Sequence, residues 1–149
     1  MASPADILRV ALVAAGVVQM PGVPGQLLPY VQQPGDASIL CYVGSMPEDV
    51  SQAVCLYDNA GRMFGRRQRD GKEMIHAGVK ALVRFPTYDY YDRVNTLALA
   101  MQSLTRTGVI QSVYRTSPII SLGEETNRRR QRWSFNLRIA FTDAQPQLG

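Results

Sequence analysis

Residues 128–141, RRRQRWSFNLRIAF, contain the clearest strand pattern of the chain and its densest run of arginine. From Arg132 onward, large apolar residues alternate with polar or small ones, as in a strand with one buried face. One face carries Trp133, Phe135, Leu137, Ile139 and Phe141, and the other carries Arg132, Ser134, Asn136, Arg138 and Ala140. We interpret residues 132–141 as an edge strand, which its arginines keep from aggregating while its backbone stays able to pair with another chain.

A second strand and a helix precede this segment. Residues 74–85, MIHAGVKALVRF, alternate over six consecutive apolar positions, which predicts a strand. Apolar residues then recur every three or four positions from Tyr91 to Leu104. This spacing predicts a helix that is capped by Thr87 or Asp89 and ends near Arg106. Two strands around one helix indicate an α+β layer pair.

The chain begins with a second predicted helix. Ser3 is a suitable N-cap, Pro4 suits the first helical position, and Asp6 lies in the first turn, so a helix over residues 4–18 is expected. Its residues are apolar on almost every side, and we therefore expect it to be covered on nearly every side. The segment lacks the basic start of a signal peptide and is too short to cross a bilayer.

The remaining segments complete the predicted domain. Residues 21–35 are rich in proline and glycine and predict a loop, and residues 38–43 and 52–58 predict strands that pair as a hairpin or lie as neighbours. Residues 59–72 predict a mobile basic loop, and residues 109–116 predict a strand. Gly123, Glu124 and Glu125 predict a turn, and residues 143–149 are expected to form a frayed end. The sequence thus predicts one α+β domain over residues 1–149, with a mixed or antiparallel sheet against two helices.

The composition contains little that suggests catalysis. Cys41 and Cys55 are too far apart in sequence for a metal motif and are interpreted as buried apolar residues in a reducing cytoplasm. His76 is the single histidine, and the acidic pairs Asp89/Asp92 and Glu124/Glu125 adjoin a helix start and a turn. No nucleotide or zinc motif is present. We predict no enzyme, no cofactor and no metal, and an unrecognised site that uses His76 stays a minor alternative.

Arginine provides the functional candidates. The 149-residue chain has a net charge of +4, and of its 16 basic residues other than histidine only Lys72 and Lys80 are lysine. Arginine favours interfaces, because its planar fork pairs with carboxylates and phosphates. The candidate site residues are Arg62, Arg66, Arg67, Arg69, Arg128, Arg129, Arg130, Arg132 and Arg138, with Glu124 and Glu125.

These arginines allow three interpretations: solvated charged turns, contacts with another subunit, or nucleic-acid binding. Nucleic-acid binding requires aromatic residues on the same face as the charges or a recognition helix. Trp133 and Phe135 are predicted to face the core, and both predicted helices are poor in residues that read bases.

The order of the segments resembles that of the tail terminator proteins of long-tailed bacteriophages. The matching features follow the apolar first helix: VCLYD at residues 54–58 with Gly61, VKALVR at 79–84 leading into YDYY at 88–91 and a helix, and Pro118 with LGEE at 122–125, Arg128, Arg130 and WSFNL at 133–137. The resemblance covers nearly the whole chain.

The resemblance implies a structural virion protein made in the host cytoplasm. Such proteins form a ring, usually of six copies, that caps the head-proximal end of the tail tube and stops its polymerisation. The implied partners are further copies of the chain, the major tail tube protein and the head-completion or connector proteins of the neck. Genomic DNA would pass through the ring without specific binding, and no membrane is involved. The alternative function is a small arginine-rich nucleic-acid-binding module.

Overall fold

The computed structural model describes residues 3–21, 39–48, 50, 52–67, 73–86, 91–106, 108–124 and 130–142. The predictions for residues 22–35, for a cap at Thr87 or Asp89 and for the end at 143–149 lie outside these residues. The described part contains two helices and one mixed sheet of six strands. The predicted α+β fold is therefore confirmed.

Helix α1 spans Pro4–Ala14, with Ser3 as its N-cap as predicted. It ends four residues before the predicted position, because Gly16 takes a positive φ of 76°. The N–H of Val17 then donates to the carbonyl of Leu12 at 3.0 Å, and that of Gly16 to the carbonyl of Val13 at 3.1 Å. This pair of bonds is a Schellman motif, which satisfies the last carbonyls and ends the helix.

The chain itself covers only part of α1. Leu8 and Leu12 are fully buried, whereas Val10 is 64% exposed. The expectation of cover on nearly every side is therefore not met by the described residues.

Strands β1 (Leu40–Val43) and β2 (Ala53–Arg67) are parallel neighbours, with Leu40 opposite Ala53 and Val43 opposite Leu56. The sequence left open whether these strands form a hairpin or lie as neighbours, and they are parallel neighbours. Gln19 bridges to Leu40 on the other side of β1.

The prediction of a basic loop over residues 59–72 is wrong for most of its length. Strand β2 continues to Arg67, and β3 (Glu73–Phe85) pairs with it antiparallel, so this segment forms a long hairpin. The register shifts three times between Asp58 and Arg67. Bulges of this kind accommodate glycine inside a strand, and Gly61 and Gly65 both lie in the shifted part.

Helix α2 spans Tyr91–Gln102 and buries Val94, Leu97, Ala98 and Met101. It ends four residues before the predicted end at Arg106, where the backbone takes a positive φ of 53°. Leu104, which we expected inside the helix, lies beyond it and is still 3% exposed.

The prediction that residues 132–141 form an edge strand is wrong. Strand β6 (Gln131–Thr142) is central: it pairs with β3 on one side and with β4 (Ile110–Arg115) and β5 (Ile120–Glu124) on the other. Its backbone hydrogen bonds are therefore made within the subunit on both sides. The predicted turn at Glu124 is also wrong, since β5 extends to this residue and Gly123 (φ 81°) lies at a bulge.

The sheet has one face toward the core and one outer face. The core face carries Trp133, Phe135, Leu137, Ile139 and Phe141 of β6, as predicted, together with the odd-numbered residues of β3 from Ile75 to Phe85. The buried residues of both helices belong to the same core. The outer face carries the even-numbered residues of β3 and β6. Lys80 is exposed there, and Arg132, Asn136 and Arg138 are half-buried.

Candidate assembly surfaces

The two basic clusters predicted from the sequence lie at opposite ends of the sheet. Arg67 is opposite Glu73 at the start of β3, whereas Arg84, near the end of β3, is opposite Arg132. Eleven residues of β3 separate the two positions, which corresponds to about 36 Å at 3.3 Å per residue. The candidate residues Arg69, Glu125, Arg128 and Arg129 lie outside the described residues. The basic residues therefore do not form one site within a subunit.

Arg130 is an internal structural residue. Only 6% of it is exposed, and its Nη1 donates to the carbonyls of Glu48 and Val50 at 2.5 and 2.9 Å. Arg84, 8% exposed, donates from Nη1 to the carbonyls of Pro47 and Val50 at 2.7 and 3.0 Å. These two guanidinium groups fix the connection between β1 and β2, and charged donors make strong hydrogen bonds of this kind. Arg130 is thus not available as a surface contact.

Arg93 extends this cluster to the core side of the sheet. Its guanidinium lies over the Phe85 ring, 5.2 Å from the ring centroid, and its Nη1 donates to Gln52 Oε1 at 3.2 Å. The Phe85 ring lies 6.2 Å from the Trp133 ring, tilted by 58°. Trp133 is only 4% exposed, so its side chain packs in the core and stabilises the fold. The sequence contained no local sign that Arg93 would take this role.

Arg132 and Arg138 lie on the outer face and are half-buried. Arg138 is opposite Gly78 on β3 and Tyr114 on β4, and Tyr114 is 44% exposed. The buried Nε of Arg132 has no hydrogen-bond partner among the described residues. Of the predicted candidate arginines, Arg132 and Arg138 thus lie on the outer face of the sheet.

Strand β2 presents an open edge. Strand β1 pairs with its first four residues, Ala53 to Leu56, and no other strand of the described chain pairs with β2 on that side. We call the unpaired side of residues 57–67 the hairpin edge. It contains three of the predicted arginines, Arg62, Arg66 and Arg67, and its backbone has no strand partner among the described residues.

A second open edge lies on the opposite side of the sheet. Strands β4 and β5 follow one another along β6, and the N–H of Thr116 between them donates to the Asn136 carbonyl at 2.8 Å. No strand of the described residues pairs with β5 on its outer side, which we call the β5 edge.

The β5 edge exposes large apolar side chains. Ile120 is 48% and Leu122 41% exposed, and the strand ends at the exposed Glu124. Exposed aliphatic residues on an unpaired strand are typical of a surface that is covered in an assembly. The sequence prediction missed both aliphatic residues, although a short apolar run between Pro118 and Gly123 marked the place.

Burial raises the pKa of three titratable side chains, two thiols and one phenol. Burial raises the pKa of the Cys41 thiol to about 12 and also raises the pKa of the Cys55 thiol. Burial raises the pKa of Tyr57 to about 12 as well. Since the thiolate is the reactive form of cysteine, neither thiol is activated as a nucleophile.

The described residues contain no group of three or more His, Cys, Asp or Glu residues placed to hold a metal ion. No helix among them is long and apolar enough to cross a membrane.

No model of a known protein family matches this chain, and no curated protein matches it. The described residues form an α+β domain with a six-stranded mixed sheet, in which no described strand pairs with β5 on its outer side or with β2 beyond Leu56 on the β1 side.

Proposed function

We propose that this chain is a structural virion protein that assembles into a ring at the head-proximal end of a phage tail tube. The ring, of six copies by the resemblance, stops polymerisation of the tube protein and offers a surface to the head-completion or connector proteins. Genomic DNA passes through it without specific binding. We expect no enzymatic activity.

One observation carries the proposal: among the described residues, the sheet has unpaired strand edges on two opposite sides. When two different surfaces of one chain bind each other, the contact runs head to tail, and it closes into a ring when the rotation between neighbours permits. A pair of identical edges would instead favour a two-fold dimer. The arrangement thus fits a closed cyclic assembly built from one kind of subunit.

The alternative function, a nucleic-acid-binding module, has less support. Trp133 and Phe135 are 4% and 1% exposed and cannot stack on bases. Arg84 and Arg130 are used to hold the connection between β1 and β2. Under this alternative, the arginines of the hairpin edge are candidates for contacts with nucleic acid.

The decisive experiment combines assembly in solution with location in the particle. We expect purified protein to form rings in light scattering and electron microscopy, and antibody against the chain to label the neck of the virion. A phage that lacks the gene should produce tails of uncontrolled length. Lone subunits at all concentrations, together with normal tails in the deletion phage, would refute the proposal.

Charge reversal identifies the basic contacts. Reversal at Arg130 disturbs the fold, so Arg62→Glu with Arg66→Glu on the hairpin edge is the informative variant. We expect it to remain folded while ring formation requires several times more protein. Arg106→Glu is the matched control, since Arg106 is exposed in the turn after α2 and lies outside β2 and β5. A double variant that assembles like this control would show that the hairpin arginines are not at the contact.

A further inference from the structure

We infer that the outer face of the sheet is a contact surface for the phosphate backbone of duplex DNA. The contact is weak and does not depend on base sequence. In the proposed ring, on which this last step rests, the face lines the channel through which the genome passes. Neither open sheet edge takes part in the contact.

The outer face carries charge of one sign. Its positions on β3 and β6 are the even-numbered residues 74–84 and 132–142, of which four are lysine or arginine and none is acidic. Arg84 is used to hold the connection between β1 and β2. The other three, Lys80, Arg132 and Arg138, form what we call the outer basic patch. A surface with charge of a single sign attracts polyanions.

The helix side of the subunit has charges of both signs. On α1, Arg9 Nη2 and Asp6 Oδ1 lie 3.5 Å apart in an ion pair, and on α2 Asp92 directly precedes Arg93. Opposite charges that lie close together cancel over longer distances. DNA is therefore attracted to the outer face of the sheet rather than to the helices.

The outer basic patch extends along the strands. Lys80 is directly opposite Asn136 on β6. Arg138 lies two residues from Asn136 in one direction, about 7 Å, and Arg132 lies four residues away in the other, about 13 Å. The patch is thus about 20 Å long. Phosphates follow one another about every 3.4 Å along each strand of a duplex, so this length spans several phosphates.

The neighbours of these cations are of the types that contact phosphates. Tyr114, which is 44% exposed, is directly opposite Arg138. The amide Nδ2 of Asn59 donates to Asn136 Oδ1 at 3.1 Å on the same surface. Tyrosine and asparagine side chains commonly bind phosphate oxygens together with arginine and lysine. Interfaces with DNA are more polar and more positive than those between proteins, which favours DNA over an acidic protein as the partner.

The position of the patch restricts the contact to the backbone. Lys80, Arg132 and Arg138 belong to β3 and β6, which have strand neighbours on both sides. A central strand of a sheet cannot enter the major groove as a helix or a two-stranded ribbon does. The side chains therefore reach phosphates and not base edges, and such a contact lets DNA slide past.

The dependence of binding on salt tests the surface. Fluorescence anisotropy of a labelled duplex gives the slope of log K against log salt concentration, to which each phosphate contact contributes about 0.9. Lys80→Gln with Arg138→Gln should weaken binding and reduce the magnitude of the slope by about 1.8. If the double variant does not fold, Lys80→Gln alone, at an exposed position, should reduce it by about 0.9.

Arg115→Gln is the matched control. Arg115 is exposed and removes the same charge, but it is opposite Leu137, whose side chain belongs to the core face. The slope of this variant should stay close to that of wild type. Cross-linking gives a second readout: p-benzoylphenylalanine at Tyr114 should attach to the labelled duplex, and in virions to the genome. The same group at Leu99, which is 58% exposed on α2, should not.

The outcomes separate this surface from the proposed function. A double variant with the affinity and slope of Arg115→Gln, or cross-links from Leu99 and not from Tyr114, would overturn the DNA contact and leave the ring in place. Loss of binding to purified tube protein with unchanged DNA binding would also overturn it, since the patch would then be a protein contact. Wild-type protein that binds duplex through the patch but never forms rings would refute the ring and leave the DNA contact standing.

Discussion

The Asp58 carboxylate accepts a hydrogen bond from the backbone N–H of Ala5, with 2.9 Å between Oδ1 and N. At the same helix end, Ser3 Oγ accepts from the N–H of Asp6 at 3.2 Å. Two of the free N–H groups in the first turn of α1 are therefore satisfied, one by the helix's own N-cap and one by a strand far away in sequence. A carboxylate at this end also interacts favourably with the helix dipole. Asp58 thus fastens α1 to the strand that forms the hairpin edge.

Replacing Asp58 by alanine should lower the free energy of unfolding by about 1 kcal/mol, the usual cost of losing a capping side chain. Urea unfolding of the two proteins measures the difference. Asp58→Asn retains an oxygen acceptor and should lose only a few tenths of that amount. Equal stability of Asp58→Ala and wild type would mean that the bond to Ala5 contributes nothing.

Arg130→Ala should lower the free energy of unfolding by about 2–3 kcal/mol, because charged hydrogen bonds to the carbonyls of Glu48 and Val50 are lost in a buried place. Thermal and urea unfolding both report this change. Arg106→Ala, at an exposed position, should stay within about 0.5 kcal/mol of wild type. If Arg130→Ala had wild-type stability, Arg130 would again be a candidate for a contact with another subunit.

Gly123→Ala should destabilise the fold by about 1–2 kcal/mol, since the φ of 81° disfavours any residue with a Cβ. No atom lies within 4 Å of the position that the added Cβ would take, so the backbone conformation alone causes the loss. Unfolding experiments measure it, and Ser121→Ala in the same strand serves as the comparison. A neutral result would show that β5 tolerates a shift of its bulge.

The stability of the fold should decrease as the pH rises above about 9. The folded chain holds the Cys41 proton up to a pKa of about 12, whereas the unfolded thiol releases it near 9.0. Between these values the unfolded state binds fewer protons, so the free energy of unfolding falls with pH, by at most about 1.4 kcal/mol per pH unit for this thiol. Cys41→Ala should flatten the pH dependence between pH 9 and 10.5. An unchanged slope would assign the effect to the Cys55 thiol and Tyr57.

Binding to duplex DNA should be weak and should decrease steeply with salt. Arginines without base-reading groups give a dissociation constant of about 10⁻⁴–10⁻⁶ M at physiological salt. Fluorescence anisotropy with a labelled duplex at two salt concentrations measures both quantities. Nanomolar binding at physiological salt would favour the nucleic-acid-binding module over the ring.

Local patterns in the sequence were sufficient for several elements. The alternation in β3 and β6 identifies both strands and their buried faces, since a strand places successive side chains on opposite sides whatever its neighbours are. Ser3 and Pro4 also mark the start of α1, because the N-cap bond from the Asp6 N–H to Ser3 Oγ joins residues only three positions apart. The ends of both helices were predicted four residues too far, because apolar spacing continues to Val18 and Leu104, beyond the last helical residues Ala14 and Gln102.

The candidate surfaces were predicted less well. Arg62, Arg66 and Arg67 were correctly recognised as a basic cluster, but glycine and arginine between residues 59 and 72 suggested a loop. This segment is a strand because it pairs with β3, and that pairing cannot be predicted from the residues of the segment alone. Arg130 was assigned to a surface although it binds carbonyls of a connection that is distant in sequence.

The sequence alone determined the class of the fold, the two main strands and which of their faces is buried, because these follow from periods of two and three to four residues along the chain. The tertiary structure alone decided that β6 is central, that β2 and β5 have edges with no partner among the described strands, and that Asp58, Arg84 and Arg130 hold the fold. Strand order and long-range hydrogen bonds depend on which segments meet in space, and an alternating pattern is the same in a central strand and an edge strand.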